Sequence, residues 1–300
     1  MPATMLQLVQ QATAEMGLPV PTYVAGNTTQ DTIQQLALLN AVGYELTRQY
    51  QWQWQTAQKI ITVEGTTITG DTTEGSTSLT NASSIVGIDD TYQISGDGMN
   101  QATYVTAAVG TTITLSQPAT STNTGSTYTL SKVKYAMPDD FDRQINRTHW
   151  DKSKHWEMLG PESAQQWEWL ISGYIATGPR IRYRIFQNFF QIWPMVGEGE
   201  VLGFEYITNS WARSAADVAK TSFTVDTDTC VFPDRLMVLG MKLKYFQIKG
   251  FDTSSFQRDY DMQLDIAKAN DAGAATLSFS PRISTILIGW EQIPDAGYGS

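Results

Sequence analysis

The chain is poor in cysteine, in histidine and in basic residues, and each shortage removes a class of function. Cysteine occurs once, at Cys230, so no disulfide can close within the chain and no cysteine cluster can hold zinc. The two histidines, His149 and His155, are six apart. On a helix they would be turned by about 240° from one another and form no metal pair. Neither HExxH nor GxSxG occurs, so neither a zinc hydrolase nor a nucleophile elbow is written here. Lys and Arg number 20 against 30 Asp and Glu, a net charge of −10, which opposes tight binding to phosphate backbones. No run approaches the roughly 18 apolar residues of a membrane span, and MPATMLQLVQQATAEMG lacks the basic start and apolar stretch of a secretory signal. The expectation is a soluble, non-enzymatic protein made in a reducing cytoplasm, with no cofactor, no metal site and no membrane partner.

With 41% apolar residues there is ample material for a core. Residues 1–58 read as two amphipathic helices. Met5, Leu6, Val9, Ala12 and Met16 recur at helical spacing, and Ile33, Leu36, Ala37, Asn40, Gly43, Tyr44 and Thr47 form the second stripe, capped by Thr28 or Thr29. Between Ile60 and Ser131 Lys, Arg and Trp vanish, and Thr plus Ser exceed a third of the residues. Alternation such as Thr112-Ile113-Thr114-Leu115 predicts a module of short antiparallel strands. Further on, Pro161 opens a predicted helix, and Ile181, Tyr183 and Ile185 alternate with Arg180, Arg182 and Arg184 ahead of a Gln187-Asn188 turn. Pro233 opens a helix that Gly250 ends, and a second follows with Phe256, Tyr260 and Leu264 on one stripe. The fold expected is α+β: a helical bundle of N- and C-terminal helices (1–58 and 134–273), an inserted Thr/Gly-rich antiparallel β module (59–133), a β-hairpin/sheet region and an extended arm (274–300).

No arrangement selects a catalytic set. Asp226-Thr227-Asp228-Thr229 lacks the glycine and distal glutamate of a calcium hand and reads as a turn whose side chains bond nearby amides. Trp167 and Trp169, two apart on a helix, project about 200° apart, so one of them is expected to meet another subunit or a neighbouring domain, a saccharide platform being the competing use. The arginine ladder Arg180, Arg182 and Arg184 is read as a subunit contact pairing with acids of a neighbour.

The order of Pro138-Asp139-Asp140-Phe141, Pro161-Glu162, Tyr183-Arg184-Ile185, Phe204-Glu205-Tyr206-Ile207, Phe223-Thr224-Val225-Asp226-Thr227-Asp228-Thr229 and Leu239-Gly240-Met241-Lys242, leading to Lys249-Gly250, resembles the head-to-tail adaptor proteins of tailed bacteriophages, the tail tubular protein A type of short-tailed phages. The resemblance implies a structural virion protein forming a twelve-membered ring below the portal. Such a ring joins capsid to tail nozzle, carries tail fibres or spikes, and passes DNA through its channel without specific binding. Ile286, Leu287, Ile288 and Trp290 in the arm are the candidates for portal docking. The rival readings are a receptor- or carbohydrate-binding virion protein and a tail-associated glycosidase.

Overall fold

A computed structural model describes residues 2–172 and 180–272. Helices α1 (Met5–Glu15) and α2 (Gln30–Gln49) open the chain. Strands β1 (Thr56–Thr62), β2 (Gly65–Thr72), β3 (Ser78–Thr80), β4 (Tyr92–Gly96), β5 (Thr103–Val109), β6 (Thr112–Leu115) and β7 (Asn123–Lys132) come next. They are followed by β8 (Lys134–Ala136), β9 (Phe141–Gln144), β10 (Trp150–Asp151), β11 (Trp156–Glu157) and helix α3 (Ala164–Ile171). After these come β12 (Arg182–Phe186), β13 (Phe189–Trp193), β14 (Val201–Thr208), β15 (Ala212–Arg213), β16 (Ala219–Lys220) and β17 (Thr229–Cys230). Helices α4 (Asp234–Lys249) and α5 (Ser254–Ala272) end the described chain.

Strands β2-β3-β6-β5-β4-β7 close into a barrel. Period-two patterning drives the closure: Ile68, Ile94, Val105, Ile113, Leu115, Tyr128 and Leu130 fill the interior, while Thr67, Thr69, Thr127 and Thr129 face water. The buried Tyr128 hydroxyl lies 3.1 Å from Thr72 Oγ1, so this polar group is satisfied inside the barrel. Strands β2 and β7 pair from Gly65↔Ser131 onward, so the chain enters and leaves the barrel side by side.

Outside the barrel, β1 pairs with β14 from Thr56↔Ile207 to Thr62↔Val201, β14 also carries β9 and β10, and β10 leads to β11. Hairpin β12–β13, turned at Gln187 and Asn188 with φ of 49° and 63°, takes β8 as its third strand. These two sheets share a core that includes Ile61, Tyr135, Met158, Tyr183, Phe190, Ile192, Leu202 and Phe204. Helix α4 is apolar nearly all round and sits beneath α1, α2 and α5, in a core completed by Trp52, Trp211, Phe223 and Phe232.

The expected helical bundle with an inserted β module is not the architecture. The protein is mostly β, with a closed six-stranded barrel and five α-helices among the described residues. Residues 134–273, expected to add one hairpin and a strand to a bundle core, supply ten strands, β8 to β17, alongside α3, α4 and α5. The reason is range: β1 finds its partner β14 far along the chain, and helical or strand periodicity within a short window carries no signal of such a pairing.

Candidate functional site

Several acidic side chains are spent on ion pairs within the fold. Glu162 accepts from Arg182 at 2.6 Å, and Asp142 lies 3.3 Å from Arg143 and 3.9 Å from Arg48. Among the described residues no three His, Cys, Asp or Glu come together to hold a metal, and no helix is long and apolar enough to cross a membrane. Cys230 is buried, which pushes its thiol up to about 12.

In the Asp226–Thr229 turn, Asp228 accepts from the amides of Thr224 at 2.8 Å and Val225 at 2.9 Å, and from Lys220 Nζ. Burial alone would raise the Asp228 carboxyl, yet Lys220 and these amides hold it below its ordinary value. Asp226 reaches back to the amides of Val24 at 3.1 Å and Ala25 at 2.8 Å, fastening the connection after α1. The turn is thus structural.

His149 is neither on a helix nor in a polar loop. It is buried in the core of the two sheets, its ring stacked 4.0 Å from Tyr183 and 5.1 Å from Phe204, with both ring nitrogens lacking a partner. Burial drops its pKa to about 4.

The tryptophan and arginine candidates do converge, around α3. Ser163 caps this helix in a reciprocal box with Gln166, so the helix begins after Ser163 and not at Pro161. Trp167 is buried, whereas Trp169 is 58% exposed, so the two rings do face apart. Arg180 is exposed and Arg182 is tied to Glu162. Arg184 meets two rings, its guanidinium carbon 4.7 Å from the Trp167 centroid and 4.6 Å from that of Phe186, while Nε donates to Gln191 Oε1 at 2.9 Å. Of the three arginines, only Arg184 is held against α3, through Trp167, while Arg180 remains exposed.

Beside Arg184 opens a cleft of about 440 Å³ between the barrel, the β8–β13–β12 sheet and α3. Lys134, Tyr104, Thr106 and Gln191 line it with Arg184 and Phe186. The sequence reading did not find Lys134, Tyr104, Thr106, Gln191 or Phe186 as site residues, because strands distant in sequence bring them together.

Two apolar stripes elsewhere, on the helical layer, are left exposed by the described residues. On α2, Ile33, Ala37 and Tyr44 face outward, while Leu38, Leu39, Val42, Gly43 and Leu46 face the core. This corrects the expected stripe, whose Ile33 and Tyr44 are 47% and 54% exposed. On α5, Met262, Ile266 and Ala269 face outward, opposite Tyr260, Leu264 and Ala267. The portal-docking candidates Ile286, Leu287, Ile288 and Trp290, and the whole arm of residues 274–300, lie outside the described residues. No protein-family model matches the chain, and no curated protein matches it.

Proposed function

We propose that this chain is a head-to-tail adaptor of a tailed phage, assembling with copies of itself into a ring below the portal and carrying tail components on its outside. The carrying observation is the pair of second apolar stripes on α2 and α5. Ring closure requires a heterologous contact, in which two different patches of one protomer meet the complementary patches of its two neighbours. Helices α2 and α5 both pack on α4, where a Cβ at Gly240 would meet Val42 of α2 and Tyr260 of α5 at 2.6 and 3.1 Å, so one rigid layer presents both patches. Helices that need only a core are polar on the other face. The net charge of −10 per copy suits a bore through which DNA slides without being gripped.

Negative-stain imaging and light scattering of the purified chain, alone and mixed with portal protein, test the reading. Rings are expected with portal, and the double substitution Tyr44→Glu with Ile266→Glu, at two exposed positions, is expected to leave a folded monomer. A wild-type chain that stays monomeric beside portal rings at every concentration tried would remove the proposal.

A further inference from the structure

We propose that the cleft beside α3 binds a carboxylated saccharide, a hexuronate unit of an acidic glycan, with Arg184 taking the carboxylate. The inference stands whether or not the chain forms rings. Three observations carry it. First, charge: in this acidic protein many Lys and Arg side chains pair with Asp or Glu within 4.0 Å, among them Arg182 with Glu162 and Lys132 with Glu64. Arg184 and Lys134, both lining one cleft, form no such pair among the described residues. Lys134 Nζ donates only to the Asp90 carbonyl, at 3.0 Å. Burial pulls the Arg184 guanidinium below its usual range, against the opposing charge of Glu168, so an arriving anion recovers part of that desolvation.

Second, geometry selects the anion. Trp167 and Phe186 both lie against the guanidinium, and Gln191 takes Nε, which leaves the paired terminal nitrogens to donate. A planar fork of this kind matches a carboxylate with two parallel hydrogen bonds. Cations already occupy ring faces here, with Lys134 Nζ 5.8 Å from the Tyr104 centroid, so little open face remains for a nucleobase. Asp90 at the rim and Glu168 nearby disfavour a phosphate dianion and suit a single negative charge.

Third, the remaining lining fits a polyol. Ser116 Oγ accepts from the Tyr104 amide at 2.8 Å, leaving its hydroxyl hydrogen to donate, and Thr106 Oγ1 donates to the Thr114 carbonyl at 3.2 Å, leaving it to accept. Gln191 and Asp90 also line the cleft, the first with an amide nitrogen able to donate and the second with a carboxylate able to accept. A cleft of about 440 Å³ lies in the range that holds small ligands and has room for one or two pyranose rings.

The test titrates the full-length protein with digalacturonate, following intrinsic tryptophan fluorescence and saturation-transfer NMR. Saturable binding is expected, with Arg184→Gln weakening it by about tenfold, the loss of one charge-assisted pair. Lys134→Gln is expected to weaken it less, and Arg184→Lys to recover only part of the affinity, because an ammonium has no fork. Circular dichroism identifies any variant that fails to fold, and the Lys134 variant then carries the test. Equal binding of neutral maltose, binding of a glutamate-rich peptide in place of the uronate, or no saturation by digalacturonate would each overturn the assignment.

Discussion

At the scale of single residues, His149 is the side chain whose surroundings most constrain its behaviour. Its ring lies within the aromatic pile of Tyr183, Phe190 and Phe204, and neither nitrogen has a partner. Only the neutral form is tolerated there, hence a pKa of about 4 in the folded protein against 6.5 when unfolded. Between those values the unfolded chain binds a proton that the folded chain refuses, so stability falls as pH drops through that window and is unaffected by this group above it. The depression corresponds to a loss of about 3 kcal/mol once pH reaches the folded value. Carboxylates titrate in the same range, so the measurement is a difference. Urea unfolding at pH 7 and pH 4.5 should show wild type losing about 2 kcal/mol more than His149→Phe, which keeps the stacking area and removes the titration. Equal losses in the two proteins would show that His149 accepts its proton without cost and is not sealed in the core.

At the scale of elements, the joint between α2 and Trp211 leaves no spare room. A Cβ built on Gly43 would lie 2.5 Å from atoms of the Trp211 six-membered ring, which is fully buried. Gly43→Ala gains up to about 1 kcal/mol of helix propensity, yet overpacking of this kind costs about 1–3 kcal/mol and the ring has nowhere to go. Thermal denaturation should find the alanine variant less stable, and a rise in Tm would mean that the ring moves aside freely. The same helix shows what local sequence can and cannot reveal. Its existence was legible from spacing, but it is apolar on two faces, and periodicity alone put Ile33 and Tyr44 toward the core where Val42 and Leu46 belong. Local punctuation was readable: Gly250 ends α4 with φ of 77°, Gln187-Asn188 turns the hairpin, and Asp228 ties its own turn. Capping boxes at Thr4–Gln7 and Ser163–Gln166 are local signals of the same kind. Pairings such as β1 with β14 had no local trace, and neither had the meeting of Lys134 with Arg184, so the bundle expectation failed where the sheets begin.

For the molecule as a whole, the apolar side chains divide into separate cores, and the barrel has one to itself. Ile68, Leu79, Ile94, Val105, Ile113, Tyr128 and Leu130 are all nearly or wholly removed from water by other residues of the barrel, and closure leaves no free sheet edge in need of covering. Its contacts with the rest include Ala102, which packs with Trp167 and Trp193, Tyr104 at the cleft, Val133, which is buried in the core of the two sheets, and the Asp90 and Thr91 carbonyls, which accept from Lys134. The two chain ends leave it as neighbours, paired at Gly65↔Ser131 and braced by Lys132 on Glu64 at 3.1 Å. A chain of this length is near the lower limit for independent folding, but a closed all-antiparallel barrel with a filled interior meets the requirement. Residues 64–133 expressed alone should therefore give a dispersed amide NMR spectrum and one cooperative unfolding transition, at a lower Tm than the full chain because the Ala102 and Tyr104 side is bared. A collapsed spectrum would show that α3 and the β8–β13–β12 sheet are required to hold the barrel shut, and that its core is completed from outside.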